Sequence, residues 1–109
     1  MNTIKHIVMW KVAGDSPSAR ADAAQRVKRA FEGLRGRIPG MRHVEVGVDT
    51  SAEAHACDVV LYTEFDSADS LAAYAEHPEH LRVSQSLAGV RTSRHQVDYA
   101  VQHAEEACA

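Results

Sequence analysis

Two histidines in one short segment, His77 and His80, stand three positions apart. That spacing places two imidazoles on one helical turn, where they could ligate a metal. Two ligands are too few, however, Pro78 interrupts the turn, and a third would have to come from His6 far upstream. No metal site is expected. His6 and Trp10 face the same way in an alternating stretch, and an apolar wall carrying one polar group is the usual make-up of a small-molecule site. The competing arrangement makes Trp10 the core of a dimer interface and bonds His6 to backbone. His77 is a third ligand-binding candidate, or else a helix-end side chain bonding to a carbonyl. Tyr62 and Tyr99 read as core or interface aromatics with bonded hydroxyls, and His43, His55, His95 and His103 as surface or loop positions. The chain holds no phosphate-cradling glycine loop, no nucleophile elbow and no Cys–His pair with a supporting motif, so no cofactor is expected.

These side chains have to be positioned by short elements. Thr3 to Val12 alternates as a strand, with Ile4, His6, Val8, Trp10 and Val12 on one face and Lys5, Ile7, Met9 and Lys11 on the other. Gly14-Asp15-Ser16-Pro17 is a turn that leads into a helix, with Ser16 as N-cap and Pro17 at the first helical position, where no N–H bond is lost. Ala23, Ala24, Val27, Ala30, Phe31 and Leu34 make its apolar stripe. Gly36 is placed to end it, and Ile38-Pro39-Gly40 completes the break. Met41 to Val48 is the second strand, Asp49 to Ala56 a polar loop, and Asp58 to Phe65 a third strand dense in β-forming residues. A short helix capped by Asp66 or Ser67 breaks at His77-Pro78, because the residue before a proline disfavours helical geometry. A second short helix runs from Pro78 to about Leu87. Arg91 to Val101 is the last strand, and 102–109 a polar tail.

The order β-α-β-β-α-β is a split βαβ arrangement. Right-handed crossovers put both helices on one face of a four-stranded antiparallel sheet, an α+β fold of ferredoxin-like kind. The strands carry apolar residues on both sides, so the uncovered face would be a larger apolar patch than a monomer tolerates. Two such sheets packed face to face about a two-fold axis resolve the conflict, and a homodimer is expected. Periodicity alone leaves open which side faces the helices.

With 109 residues the chain is long enough for one domain and too short for two. A net charge of −3 without a basic run argues against nucleic acid, which needs clustered Lys and Arg to neutralise phosphates. No apolar stretch approaches the roughly 20 residues that span a bilayer, and Met1 to Trp10 runs straight into strand alternation rather than into a secretory signal. Cys57 and Cys108 fit no metal or redox spacing, and a reducing, cytoplasmic setting is expected.

Several fragments in fixed order carry a resemblance: Ile4-Lys5-His6-Ile7-Val8-Met9-Trp10, Ile38-Pro39-Gly40-Met41, Asp58-Val59-Val60-Leu61, Phe65-Asp66-Ser67, Tyr74-Ala75-Glu76-His77-Pro78-Glu79-His80 and Val97-Asp98-Tyr99. Together, over residues 2 to about 101, they resemble the stress-responsive A/B barrel (Dabb) family, and make 1–109 a single Dabb domain. The resemblance implies a dimeric α+β barrel. It implies less about activity, since most members have none assigned. The plant polyketide cyclase of the family performs a cofactor-free aldol cyclisation with a tyrosine and a histidine in a Tyr-x-x-His-Pro-x-His segment. This pattern falls on Tyr74, His77, Pro78 and His80. An aspartate of an Asp-Tyr pair partners the histidine there, matching Asp98-Tyr99, and a first-strand histidine matches His6. The cyclase's Gly- and Phe-containing stretch is replaced by Leu81-Arg82-Val83-Ser84, and its alkyl-pocket residues have no match in Ala24, Val27 and Ala30.

On this resemblance Asp98 would orient His80, His80 would remove a proton from carbon beside a carbonyl, and Tyr74 would donate to the carbonyl oxygen as charge develops. The alternative is a buried Asp–His pair with a purely structural task. Three function classes therefore stand open: a cofactor-free enzyme on a carbonyl or polyketide-like compound (cyclase, isomerase or, by analogy of fold, monooxygenase), a protein binding such a carbonyl or aromatic ligand, and a structural, stress-associated dimer.

Overall fold

The structure is a computed structural model, and it describes residues 2–102. Gln102, the first residue of the expected polar tail, ends the last strand; the rest of that tail, with His103 and Cys108, lies outside the described residues. Four strands and three helices follow in the order β1 (Asn2–Trp10), α1 (Pro17–Glu32), β2 (Met41–Val48), β3 (Val59–Phe65), α2 (Ala68–Glu76), α3 (Pro78–Ser86) and β4 (His95–Gln102). The sheet order is β2-β3-β1-β4, with every neighbouring pair antiparallel. This is the ferredoxin-like arrangement read from the sequence, with its second helical segment divided in two.

Local chemistry sets the element ends. Ser16 Oγ accepts from the Ala19 N–H at 3.0 Å and Pro17 opens α1, as the capping pattern requires. The helix stops at Glu32, short of Leu34, the last residue of the expected apolar stripe. Leu34 lies in the turn that follows, yet is fully buried beside Ala24, Val27 and Phe31. Gly40 has φ +81°, and a Cβ there would collide with Ser70 at the start of α2, so this turn accepts only glycine.

Two strand ends differ from the alternation pattern by more than one residue. β1 ends at Trp10 because the Val12 N–H is taken by the Asp58 carboxylate at 2.8 Å, in place of a ladder partner. β4 begins at His95 rather than at Arg91. The Thr92 N–H donates to the Lys11 carbonyl and the Ala13 N–H to the Val90 carbonyl, while the Lys11 N–H meets Ser93 Oγ. These bonds hold 91–94 as a connector across the end of β1, and it carries only an isolated bridge between Val12 and Arg91.

The core settles which face of the sheet is covered. Val8 and Trp10 of β1, Val44 and Val46 of β2, and Val59, Leu61 and Phe65 of β3 are buried against Val27, Phe31, Leu34, Val83 and Leu87. Trp10 stacks on Phe31 with ring centroids 5.2 Å apart and planes 17° from parallel. The opposite face carries Ile7, Met9, Val60, Tyr62, Val97 and Tyr99, of which Val97 is 59% and Tyr99 44% exposed. No helix among the described residues is long and apolar enough to cross a membrane.

Candidate functional site

β4 is an edge strand paired only with β1, and its register sets His6 directly across from Asp98. Their side chains lie on the helix-covered face. His6 Nδ1 stands 2.6 Å from Asp98 Oδ1, and the other Asp98 oxygen accepts from Gln96 Nε2 at 2.9 Å. This corrects the pairing that the resemblance implied: Asp98 holds His6, not His80. The reason is register, since His80 belongs to α3 and its Nδ1 meets the Ala75 carbonyl of α2 at 3.2 Å.

These bonds assign tautomers. A carboxylate and a carbonyl oxygen only accept, so the proton sits on Nδ1 of each ring and Nε2 is left with a lone pair when the imidazole is neutral. His80 packs on Tyr74 with ring centroids 4.4 Å apart, and His6 approaches Tyr74 edge-on at 6.1 Å.

His6, Tyr74 and His80 line one cavity of about 520 Å³, a volume within the small-molecule range. Val8, Trp10, Phe31 and Leu61 make its apolar floor. Ser84 and the connector 91–94 make its rim. Burial raises the Tyr74 hydroxyl well above the ordinary tyrosine value, outweighing the opposing pull of Arg91 and Arg94. Tyr74 therefore stays protonated and acts as a donor, and its hydroxyl has no hydrogen-bond partner among the described residues.

Burial also lowers His80 below its ordinary value. The Ala75 carbonyl opposes this, while the nearby guanidinium groups of Arg91 and Arg94 add to it. His80 is neutral at pH 7. The sign for stability follows from linkage: as pH falls through 6.5 the unfolded chain takes up this proton before the folded one, so the His80 contribution to stability is lost toward acid and regained above 6.5. An NMR titration of the imidazole is expected to give a midpoint below 6.5; a midpoint above it would contradict the half-buried placement.

The remaining candidates separate. Trp10 belongs to the core and also lines the cavity, with the Arg91 guanidinium 4.9 Å above its ring. His77 does not reach the cavity. It ends α2 and caps α3, its Nδ1 accepting from the Glu79 N–H at 3.1 Å, so it serves as a helix-end residue rather than a ligand contact. Among the described residues no three His, Cys, Asp or Glu side chains stand close enough to hold a metal ion. Arg91, Thr92, Ser93 and Arg94 went unnoticed in the sequence. They fall inside a stretch that reads as strand, and no local pattern announces a loop that lines a cavity.

No curated protein sequence matches the chain. Among solved structures, a dimeric protein of ferredoxin-like fold from Bacteroides fragilis is 35% identical, with 91% of this chain and 96% of that one covered and a TM-score of 0.79. A dimeric ferredoxin-like protein from Thermobifida fusca is 25% identical, with 92% of each chain covered and a TM-score of 0.76. A hydroxynitrile lyase from Passiflora edulis shares the fold at 13% identity, with 93% and 94% covered and a TM-score of 0.75. The model of the stress responsive A/B barrel domain matches residues 4–101, and the chain belongs to that family.

Proposed function

We propose that the cavity binds a small carbonyl compound and moves a proton on the carbon beside its carbonyl, without a cofactor. The observation that carries this is the Asp98-held His6, which meets Tyr74 and His80 around one cavity. His6 takes the part that the resemblance gave to His80. Asp98 fixes its ring and steadies the imidazolium that forms when Nε2 accepts the proton. Tyr74, protonated and without a protein partner, donates to the oxygen on which the enolate charge develops. His80, kept neutral, offers a second lone pair for a substrate hydroxyl or for the proton's return. General acid–base help of this kind contributes about 10²–10⁴ in rate. A hydroxynitrile lyase is among the proteins that share this fold.

Deuterium exchange at the α-carbon of small ketones and keto acids, followed by NMR, tests the reading. The protein is expected to speed exchange for at least one class, and His6→Ala and Tyr74→Phe to remove most of that gain. If the protein and both variants exchange alike, the proposal fails.

The open sheet face is the surface through which two copies would pair. Val97, Tyr99 and Met9 are exposed there, and the relatives from Bacteroides fragilis and Thermobifida fusca are dimers. Burying a charge without a partner is costly, so Val97→Lys is expected to shift the protein from dimer to monomer in analytical ultracentrifugation. A Val97→Lys protein that sediments like the unmodified one would argue against pairing through this face.

A further inference from the structure

The connector 91–94 brings two guanidinium groups to the rim of the cavity, and neither is ion-paired among the described residues. Glu79 is engaged by Arg37 and Arg82, Glu32 by Lys28, and Asp98 by His6 and Gln96. Among the described residues no carboxylate forms an ion pair with Arg91 or Arg94. Arg91 is half-buried, lies over the faces of Trp10 and Phe31, and meets only the Ser84 hydroxyl, at 3.4 Å. Burial and the charge of Arg94 both work against its positive charge. A half-buried cation facing a like charge is an unfavourable arrangement for a folded chain to keep. Stacking on aromatic rings holds the guanidinium plane in place and leaves its N–H edges to meet an acceptor.

We propose that Arg91 and Arg94 receive an anionic oxygen group of the compound bound in the cavity, a carboxylate or a phosphate ester, with the Ser84, Thr92 and Ser93 side chains beside it. This rests on reading the cavity as a small-molecule site. Guanidinium groups meet either anion with two parallel N–H bonds, the strong form of such contacts. The anion sits at the rim, and the apolar body of the ligand extends over Val8, Trp10, Phe31 and Leu61 toward Tyr74 and His6. The preferred substrate is then an acidic carbonyl compound, and a neutral ketone of the same shape is a poor one.

Titrations of the full chain with benzoate, phenyl phosphate and benzamide, read by NMR shifts of cavity residues, test this. One of the two anions is expected to bind at least about tenfold tighter than benzamide, a difference of about 1.4 kcal/mol. The stronger of the two identifies the oxygen group. Arg94→Gln, at an exposed position whose loss does not endanger folding, is expected to reduce the preference, and Arg91→Gln with Arg94→Gln to abolish it. Equal binding of all three probes, no binding of either anion at millimolar concentration, or a preference that survives the double substitution overturns the proposal. Binding is read without turnover. Anion preference with no proton exchange would therefore sink the catalytic reading alone, and proton exchange with no anion preference would sink this one.

Discussion

Asp98→Asn is expected to lower the catalysed exchange of α-protons by about 10²–10³-fold while leaving the protein folded. The asparagine nearly matches the carboxylate in size but presents an NH₂ donor as well as a carbonyl. When the NH₂ faces His6, Nδ1 becomes the acceptor and the proton moves to Nε2. The lone pair that would take the substrate proton is then gone. The charge that steadies the imidazolium is also lost. Little stability is at stake, since Asp98 lies on an edge strand and its side chain is about one-third exposed, with a relative accessibility of 35%. The structural alternative predicts the reverse, a fall in melting temperature with no change in any rate. Exchange kinetics and thermal melts on the same preparation separate the two. An unchanged rate, whatever the melt shows, removes Asp98 from the chemistry.

Phe31→Ala is expected to destabilise the fold by about 3–5 kcal/mol, a large part of the roughly 5–15 kcal/mol available to a domain. Phe31 is 1% exposed, stacks on Trp10, and lies 5.7 Å beneath the Arg91 guanidinium. Its loss leaves a void where α1 crosses the sheet, and because Phe31 is also floor of the cavity, the void joins the site. Two measurements follow. Urea unfolding should show the lost stability, with exposed Leu81→Ala as a near-neutral control. Ligand titration should show weaker binding of small aromatic acids, because the apolar wall beneath them is gone. A loss below about 1 kcal/mol would mean that Phe31 is not packed in the core as described.

Much of the site is legible in the amino-acid sequence. His6, Trp10, Tyr74 and His80, chosen from strand alternation and from one family segment, all line the same cavity. His77 is legible as a helix end, because a residue before proline leaves helical geometry and His77 does so with φ −66° and ψ 135°, but its ring accepts from the Glu79 N–H instead of bonding to a carbonyl. Arg91 and Arg94 are not, because a connector that crosses the end of a strand has no period of its own.

The amino-acid sequence by itself determined the elements and their order. The Ser16-Pro17 start, the break at His77-Pro78 and the alternation in β1 are local, set by side-chain shape and backbone geometry over a few residues. Two things were decided only by tertiary structure. One is which face of β1 meets the helices, since both faces carry apolar residues and alternation is symmetric between them. The other is the partner of Asp98. Moving β4 along β1 by two residues would keep every side chain on its face and yet take Asp98 away from His6. That choice depends on where the connector 91–94 lets β4 begin, and Lys11, Val90 and Ser93 hold the connector through contacts between residues far apart in the chain.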